Sequence, residues 1–276
     1  MLCEGGREIL RCHHVLHQRN DQHVRCGLVK NSNFQITKIW NRTEDDKENV
    51  LPLTKIDAEN LKTCDLVIEV AHPDVVHKYA SVILQHCNLF VGSPTALANQ
   101  KTFDSIKELV AKYNRSVFVP AGAFWGSMDI QKMADLNIIK GLTVTMIKHP
   151  DSLKITGPLV ELNNKAKQTQ SPVILYDGPV RNLCSMAPNN VNTMAGAAIA
   201  AHTLGFDLVR AKLIADPQLV NWHIVEVEVV GENGFRTTTR RENPAAAGAV
   251  TGSVTYFSFL ASVKETLYKP PGIHLC

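Results

Sequence analysis

Three asparagines, Asn189, Asn190 and Asn192, stand directly ahead of the small residues Ala195, Gly196, Ala197, Ala198, Ala200 and Ala201 in NLCSMAPNNVNTMAGAAIAAHTLG, residues 182–205. Asparagine is favoured at helix N-caps and alanine is the strongest helix former, so the segment reads as a capped helix over 192–204. Its small residues let a second backbone or a flat ligand approach closely. The amides at such a helix start present polar groups to a cofactor or an anionic substrate. Further along, His223 follows the turn Asp216-Pro217 and opens a strand between the apolar Trp222 and Ile224. A histidine titrates near neutrality and can both take and give a proton. By type and place alone, a histidine at a strand start is more often a packed structural one. Cations gather at Lys148 and His149, at the end of a strand in MIKHPDS, and at Arg240-Arg241 before Glu242. They suit carboxylates on a ligand, or a solvated strand end.

The elements that must position these groups fall into two sets. Apolar runs at Phe34–Trp40, Asp65–Val70, Asn88–Val91 and Ser116–Val119 alternate with helical patterns over Val75–Gln85 and Thr102–Ala111. Strands alternating with helices of this length predict βαβ units and a parallel sheet. Each strand ends in turn-forming residues: Asn41-Arg42-Thr43, Ala71-His72-Pro73, Gly92-Ser93-Pro94 and Pro120-Ala121-Gly122-Ala123. Ligands of open α/β sheets bind beyond the carboxyl ends of the strands, which puts His72, Ser93 and Gly122 on a cofactor edge. Each has a plain alternative: His72 as a cap of the next helix, Ser93 and Gly122 as ordinary turns. The turn Asn41-Arg42-Thr43 lacks the carboxylate that commonly binds the ribose 2′-OH of NAD. Arg42 supplies a guanidinium suited to a 2′-phosphate, which favours NADP or dual use over strict NAD.

The second set reads as strands at Leu142–Lys148, Val173–Asp177, Ala211–Ala215, His223–Val230 and Phe235–Arg240, with the helix 192–204 among them. Asn233-Gly234 between the last two is a hairpin signal. The tail Asn243–Lys264 is apolar and small enough for one long helix starting after Asn243-Pro244 and packing back on the first set. The predicted fold class is therefore α/β: a Rossmann-type parallel-sheet domain over 1–122, completed by 243–276, and a mixed-sheet domain over 123–242.

Composition limits the function classes. The 276 residues suffice for one large domain or two interlocked ones, and 45% hydrophobic with 20% charged residues is ordinary for a soluble globular chain. A net charge of +3 is too small to argue for nucleic acid, and no apolar run approaches the length that spans a bilayer. Glu4 and the lack of a long apolar core do not read as a signal peptide. Seven cysteines without a C-x-x-C pair read as buried or free thiols in a reducing, cytoplasmic compartment.

The segments EVAHPDVV, VGSPTAL, PAGAFWGSMDIQKM, KHPDS, DGPVRNLCSMAPNNVNTMA, LIADPQLVNWHIVEVEV and RRENPAAAGAVTGSVTYFSF through PPGIHLC together resemble the aspartate dehydrogenase family in its vertebrate branch, from about residue 34 to residue 276. The resemblance implies NAD(P)-linked oxidative deamination of L-aspartate, through iminosuccinate, to oxaloacetate and ammonia. It also implies a Rossmann domain to which the chain returns at its end, an α/β catalytic and dimerisation domain of mixed sheet over 123–242, a homodimer, and a link to NAD biosynthesis. Three family positions carry over. The catalytic histidine matches His223, and a cofactor-contacting alanine matches Ala123. A cofactor-contacting asparagine matches Asn192, with Asn190 close enough to be its alternative. A substrate with two carboxylates makes Lys148 and His149 candidate substrate contacts, ahead of Arg240 and Arg241.

The chain departs from the family at its start. The first strand and the G-x-G-x-x-G turn expected before Phe34 are missing from MLCEGGREILRCHHVLHQRNDQHVRCGLVKN, and Gly5-Gly6 does not have the spacing. Glu4–Gln18 is read instead as a remnant of the first helix or a tail. Cys12, His13, His14, His17, His23 and Cys26 stand at no recognised zinc spacing, so no metal is expected. Without the glycine turn the diphosphate loses its main cradle. The alternative to an active dehydrogenase is a catalytically weak homologue that acts as an interaction or regulatory protein.

Overall fold

The structure, a computed structural model, describes residues 10–16, 34–42 and 50–276. Its first sheet is parallel throughout. Its strands are β1 (Leu10–Leu16), β2 (Phe34–Asn41), β3 (Val50–Pro52), β4 (Leu66–Glu69), β5 (Asn88–Val91), β6 (Ser116–Val119) and the C-terminal β12 (Gly272–Leu275), in the spatial order β12-β6-β5-β4-β1-β2-β3. Helices α1 (Ala58–Leu61), α2 (Pro73–His86) and α3 (Gln100–Tyr113) fall in the crossovers. The order 3-2-1-4-5-6 is that of dinucleotide-binding sheets, whose ligands lie at the carboxyl edge where the strand order reverses.

The expectation of a missing first strand is corrected here. Leu10–Leu16 is a strand inserted between β2 and β4, pairing Leu10 with Phe34 and Cys12 with Leu66. Parallel partners on both sides satisfy its backbone groups. That tertiary pairing overrides the weak local β signal of Arg11, His13 and His14. Glu4–Gln18 is accordingly neither helix remnant nor simple tail over residues 10–16. Gly5, Gly6, His17, His23, Cys26 and Thr43 lie outside the described residues, as does the whole segment 17–33 after β1.

The second sheet is mixed, in the order β11-β10-β7-β9-β8. Its strands are β7 (Ile139–Lys148), β8 (Val173–Pro179), β9 (Arg210–Ala215), β10 (Trp222–Gly231) and β11 (Arg236–Pro244). The β10–β11 hairpin turns through Asn233 at φ 54° and Gly234 at φ 79°, the positive φ pair that an Asn-Gly turn tolerates. Helices α4 (Ser127–Asp135), α5 (Leu159–Ala166), α6 (Val180–Met186), α7 (Asn192–Ala200) and the one-turn α8 (Gly205–Leu208) accompany this sheet.

Two readings of local structure change. Helix α7 is capped by Val191 without a side-chain bond, because Asn190 is buried and otherwise engaged. Asn190 accepts from the Lys154 amide at 2.8 Å and donates to the Ser152 carbonyl at 2.9 Å. The small residues of α7 do admit a second backbone: a Cβ on Gly196 would stand 3.4 Å from the Pro120 carbonyl oxygen. The tail is not one long helix after Pro244. Residues 245–254 form a loop, and α9 runs over Thr255–Glu265. Gly248 at φ 70° breaks any continuous helix there.

Helix α9 covers the outer face of the first sheet. Its Val263 packs fully buried with Phe34, Leu66, Ile68, Phe90 and Phe118, and Phe259 meets Phe90 edge-on at 5.0 Å. Burying a side chain the size of Val263 is worth about 1.5–3 kcal/mol. Cys64, Cys87 and Cys184 are buried and take part in no disulfide. Among the described residues no helix is long and apolar enough to cross a membrane.

Candidate active site

A cavity of about 370 Å³ opens between the carboxyl edge of the first sheet and the inner face of the second. Strand alternation decides which side chains of the second sheet enter it. The antiparallel register pairs Ile224 with Ile147 and His223 with Asn243. Lys148, His223 and Asn243 therefore form one row across β7, β10 and β11, with Met146, Val225 and Arg241 two residues along on the same face. Lys148, His223, Asn243, Met146 and Val225 all line the cavity.

Lys148 is 4% exposed and His223 5%. The Lys148 ammonium donates to the Val250 carbonyl at 2.9 Å and the Asn190 carbonyl at 3.4 Å, and it has no carboxylate partner among the described residues. Burial pulls its pKa down to about 8. His223 is pulled down to about 4, first by burial and then by the Lys148 charge, against a hydrogen bond with the Ala249 backbone that favours the protonated ring. Its Nε2 is buried with no partner among the described residues. The row thus presents a neutral imidazole with a free nitrogen beside a cation, ready for a ligand that carries both a proton to exchange and negative charge.

The first sheet supplies the opposite wall. His72, Ser93 and Ala123 line the cavity, as do Asn190 and Asn192 at the start of α7. His72 also caps α2, its Nδ1 accepting from the Asp74 amide at 3.3 Å. Asn192 carries a buried Oδ1 with no partner among the described residues. Arg42 stands exposed at the carboxyl end of β2, outside the cavity on the same sheet edge, its amide donating to the Asn41 side chain at 2.8 Å.

The structure does not bring His149 into the cavity. Alternation turns it away from Lys148, and its Nδ1 accepts from the Asp151 amide at 3.2 Å to cap the next turn. The two arginines likewise part. Arg240 pairs with Glu226 and, at 3.0 Å, with Glu242. Arg241 is half-buried on the inner face, donates to the Gly122 carbonyl at 3.3 Å, and has its pKa lowered by burial. Alternation within the strand could have singled out Arg241, since it shares the parity of Asn243. Val250, Thr251 and Gly252 also line the cavity. Reading 243–264 as a helix hides them, although Gly248 and Gly252 in that run argue for a loop.

The residues fit a nicotinamide dinucleotide. The parallel sheet has the matching strand order, the cavity lies at its carboxyl edge, and Asn192 holds out an unpaired acceptor.

Comparison with known proteins agrees with this geometry. Residues 129–266 match the family model described as aspartate dehydrogenase, C-terminal, and residues 6–120 match homoserine dehydrogenase, NAD binding domain. The first sheet is thus that of an NAD(P)-binding domain. An aspartate dehydrogenase domain-containing protein of Xenopus tropicalis is 42% identical over 267 residues, 93% of this chain and 92% of that protein. An L-aspartate dehydrogenase of Methanococcoides burtonii is 30% identical over 75% of each chain. Among solved structures, aspartate dehydrogenase from Thermotoga maritima shares the fold with a TM-score of 0.70 at 19% identity, over 94% of this chain and 95% of that one. A dihydrodipicolinate reductase from Paenisporosarcina has a TM-score of 0.53 at 11% identity, over 97% of each chain. With a vertebrate relative matching nearly end to end and the C-terminal family model spanning both sides of the Lys148–His223 row, the chain belongs to the aspartate dehydrogenase family.

Proposed function

We propose that the protein is an NAD(P)-dependent L-aspartate dehydrogenase, converting aspartate through iminosuccinate to oxaloacetate and ammonia. The observation that carries this reading is the buried Lys148–His223 row facing the edge of the NAD(P)-binding sheet. Asn192, Ala123, Ser93 and His72 hold the nicotinamide end of the dinucleotide. Arg42 favours the 2′-phosphate of NADP. When bound, the dinucleotide supplies the hydride acceptor.

The chain's own residues manage charge and protons. Lys148 holds a substrate carboxylate, and Arg241 stands on the same face as a second cation. A carboxylate beside Lys148 offsets the charge that depresses His223, so substrate binding raises the imidazole toward the range of a useful base. His223 Nε2 then takes the proton that must leave the substrate ammonium before hydride can depart. That proton passes to solvent, so the ring, neutral again, takes a second one from water adding to the imine and gives it to the nitrogen, and ammonia leaves as the carbinol O–H loses its own proton to form the ketone. The same reading carries a homodimer in the cytoplasm whose iminosuccinate connects it to NAD biosynthesis.

A second reading rests on one observation, the absence of G-x-G-x-x-G from the sequence before Phe34. A homologue of weak catalytic power, acting through interactions, would keep the fold and lose nucleotide affinity. Titration of the purified chain with NADPH and NADH, followed by fluorescence, separates the two. Micromolar binding and aspartate-dependent NAD(P)H formation are expected. A folded chain that binds neither nucleotide would favour the second reading.

A further inference from the structure

Strand β4 reads Leu66-Val67-Ile68-Glu69, three apolar residues and then a carboxylate that is completely buried. No cationic side chain bonds it among the described residues. It is held by four donors instead. Oε1 accepts from the Ala71 amide at 2.6 Å, the His72 amide at 2.9 Å and the Ser93 hydroxyl at 3.0 Å. Oε2 accepts from the Ser93 amide at 2.9 Å. The backbone joins in: the Glu69 carbonyl accepts from the Gly92 amide at 2.8 Å, and a Cβ on Gly92 would stand 2.3 Å from that oxygen. One residue thus ties the loop after β4 to the loop after β5. Ala71, His72, Gly92 and Ser93, the residues so tied, all line the cavity.

We propose that Glu69 is a positioning residue for the dinucleotide, its carboxylate fixing the two loops that form the cofactor edge of the cavity. The proposal rests on the cavity's binding a dinucleotide, as proposed above. The four partners are all donors, and only an anionic carboxylate accepts from all of them without presenting a donor of its own. Burial pushes the carboxyl up to about 7 and the four donors pull against it. A buried acid with no counter-ion among the described residues is costly to keep, and here it spans two loops at the ligand edge rather than sitting within one element.

Glu69→Gln tests this. The amide is the same size, and whichever way it turns, an N–H faces an N–H. Leaving a buried donor unpaired predicts a rise of about tenfold in the dissociation constant for NADPH. Amide exchange at Ala71, His72 and Ser93 should quicken, while KM for aspartate at saturating cofactor stays within about twofold of the unmodified protein's. A folded Glu69→Gln protein with unchanged NADPH affinity overturns the proposal. So does a variant whose losses fall on KM for aspartate alone. If Glu69→Gln does not fold, Glu69→Asp keeps the charge on a shorter stem. It should bind NADPH more weakly with faster exchange at the same amides, and unchanged values of both overturn the proposal. An unmodified protein that binds no dinucleotide overturns the cofactor reading and this proposal together, and that result is seen before any variant is made.

Discussion

Lys148 and His223 stand opposite one another on antiparallel strands, on one face, both buried, with no carboxylate bonded to either among the described residues. Burial opposes charge on both, and the Lys148 charge further opposes one on His223. The pair is stable as ammonium and neutral imidazole, and an arriving dianion reverses the balance. The first prediction concerns the imidazole. His223→Ala should lower kcat for aspartate oxidation by about 10²–10⁴-fold, the span of general acid–base catalysis. The NADPH dissociation constant should stay unchanged. Full turnover in the variant would remove His223 from the proton path.

The ammonium gives a pH prediction with a definite sign. Lys148 is depressed to about 8, so it carries its charge below that value and loses it above. If it holds a carboxylate, kcat/KM for aspartate falls as pH rises through about 8. Lys148→Arg keeps the charge at every accessible pH and should move that limb above about pH 10. Lys148→Met should be weak at all pH values. An alkaline limb that stays at about pH 8 in the arginine variant would assign it to another group.

How much of this is legible in the sequence depends on how local the signal is. β2, β4, β5 and β6 are short apolar runs bounded by turn residues, as buried parallel strands should be, and their observed bounds differ from the predicted ones by at most a residue at each end. β1 is not legible. Arg11, His13 and His14 break its apolar run, and only the two flanking strands determine it. The helix ends were misread where tertiary bonds win. Asn190 looks like a cap and instead bonds Ser152 and Lys154, more than thirty residues away in the chain. Family motifs reach His223 and Asn192, but not the row, which depends on strand register. Glu69 stands in plain view at the end of an apolar strand, yet its donors come from two loops, the more distant one 24 residues along.

Cofactor choice rests on Arg42, exposed at the end of β2 with no acidic neighbour bonded to it among the described residues. Arg42→Gln should weaken NADPH by about three- to tenfold, the modest worth of a solvent-exposed guanidinium–phosphate contact, and leave NADH within about twofold. Parallel titrations with the two nucleotides measure the ratio. A uniform loss for both would place Arg42 away from the 2′ position.

Asn192 separates binding from stability. Its Oδ1 is buried without a partner among the described residues, a state that costs stability and suits a group that a ligand uses. Removing that oxygen deletes no hydrogen bond among the described residues, and alanine is the better helix former at the first position of α7. Asn192→Ala should therefore melt at the same temperature as the parent or a few degrees higher. Its NADPH dissociation constant should rise about tenfold, the loss of one buried polar contact. Most core or cavity-wall truncations move both quantities in the unfavourable direction, so opposite signs here are diagnostic. A lower melting temperature with unchanged NADPH affinity would make Asn192 a structural residue and leave the unpaired oxygen without a function.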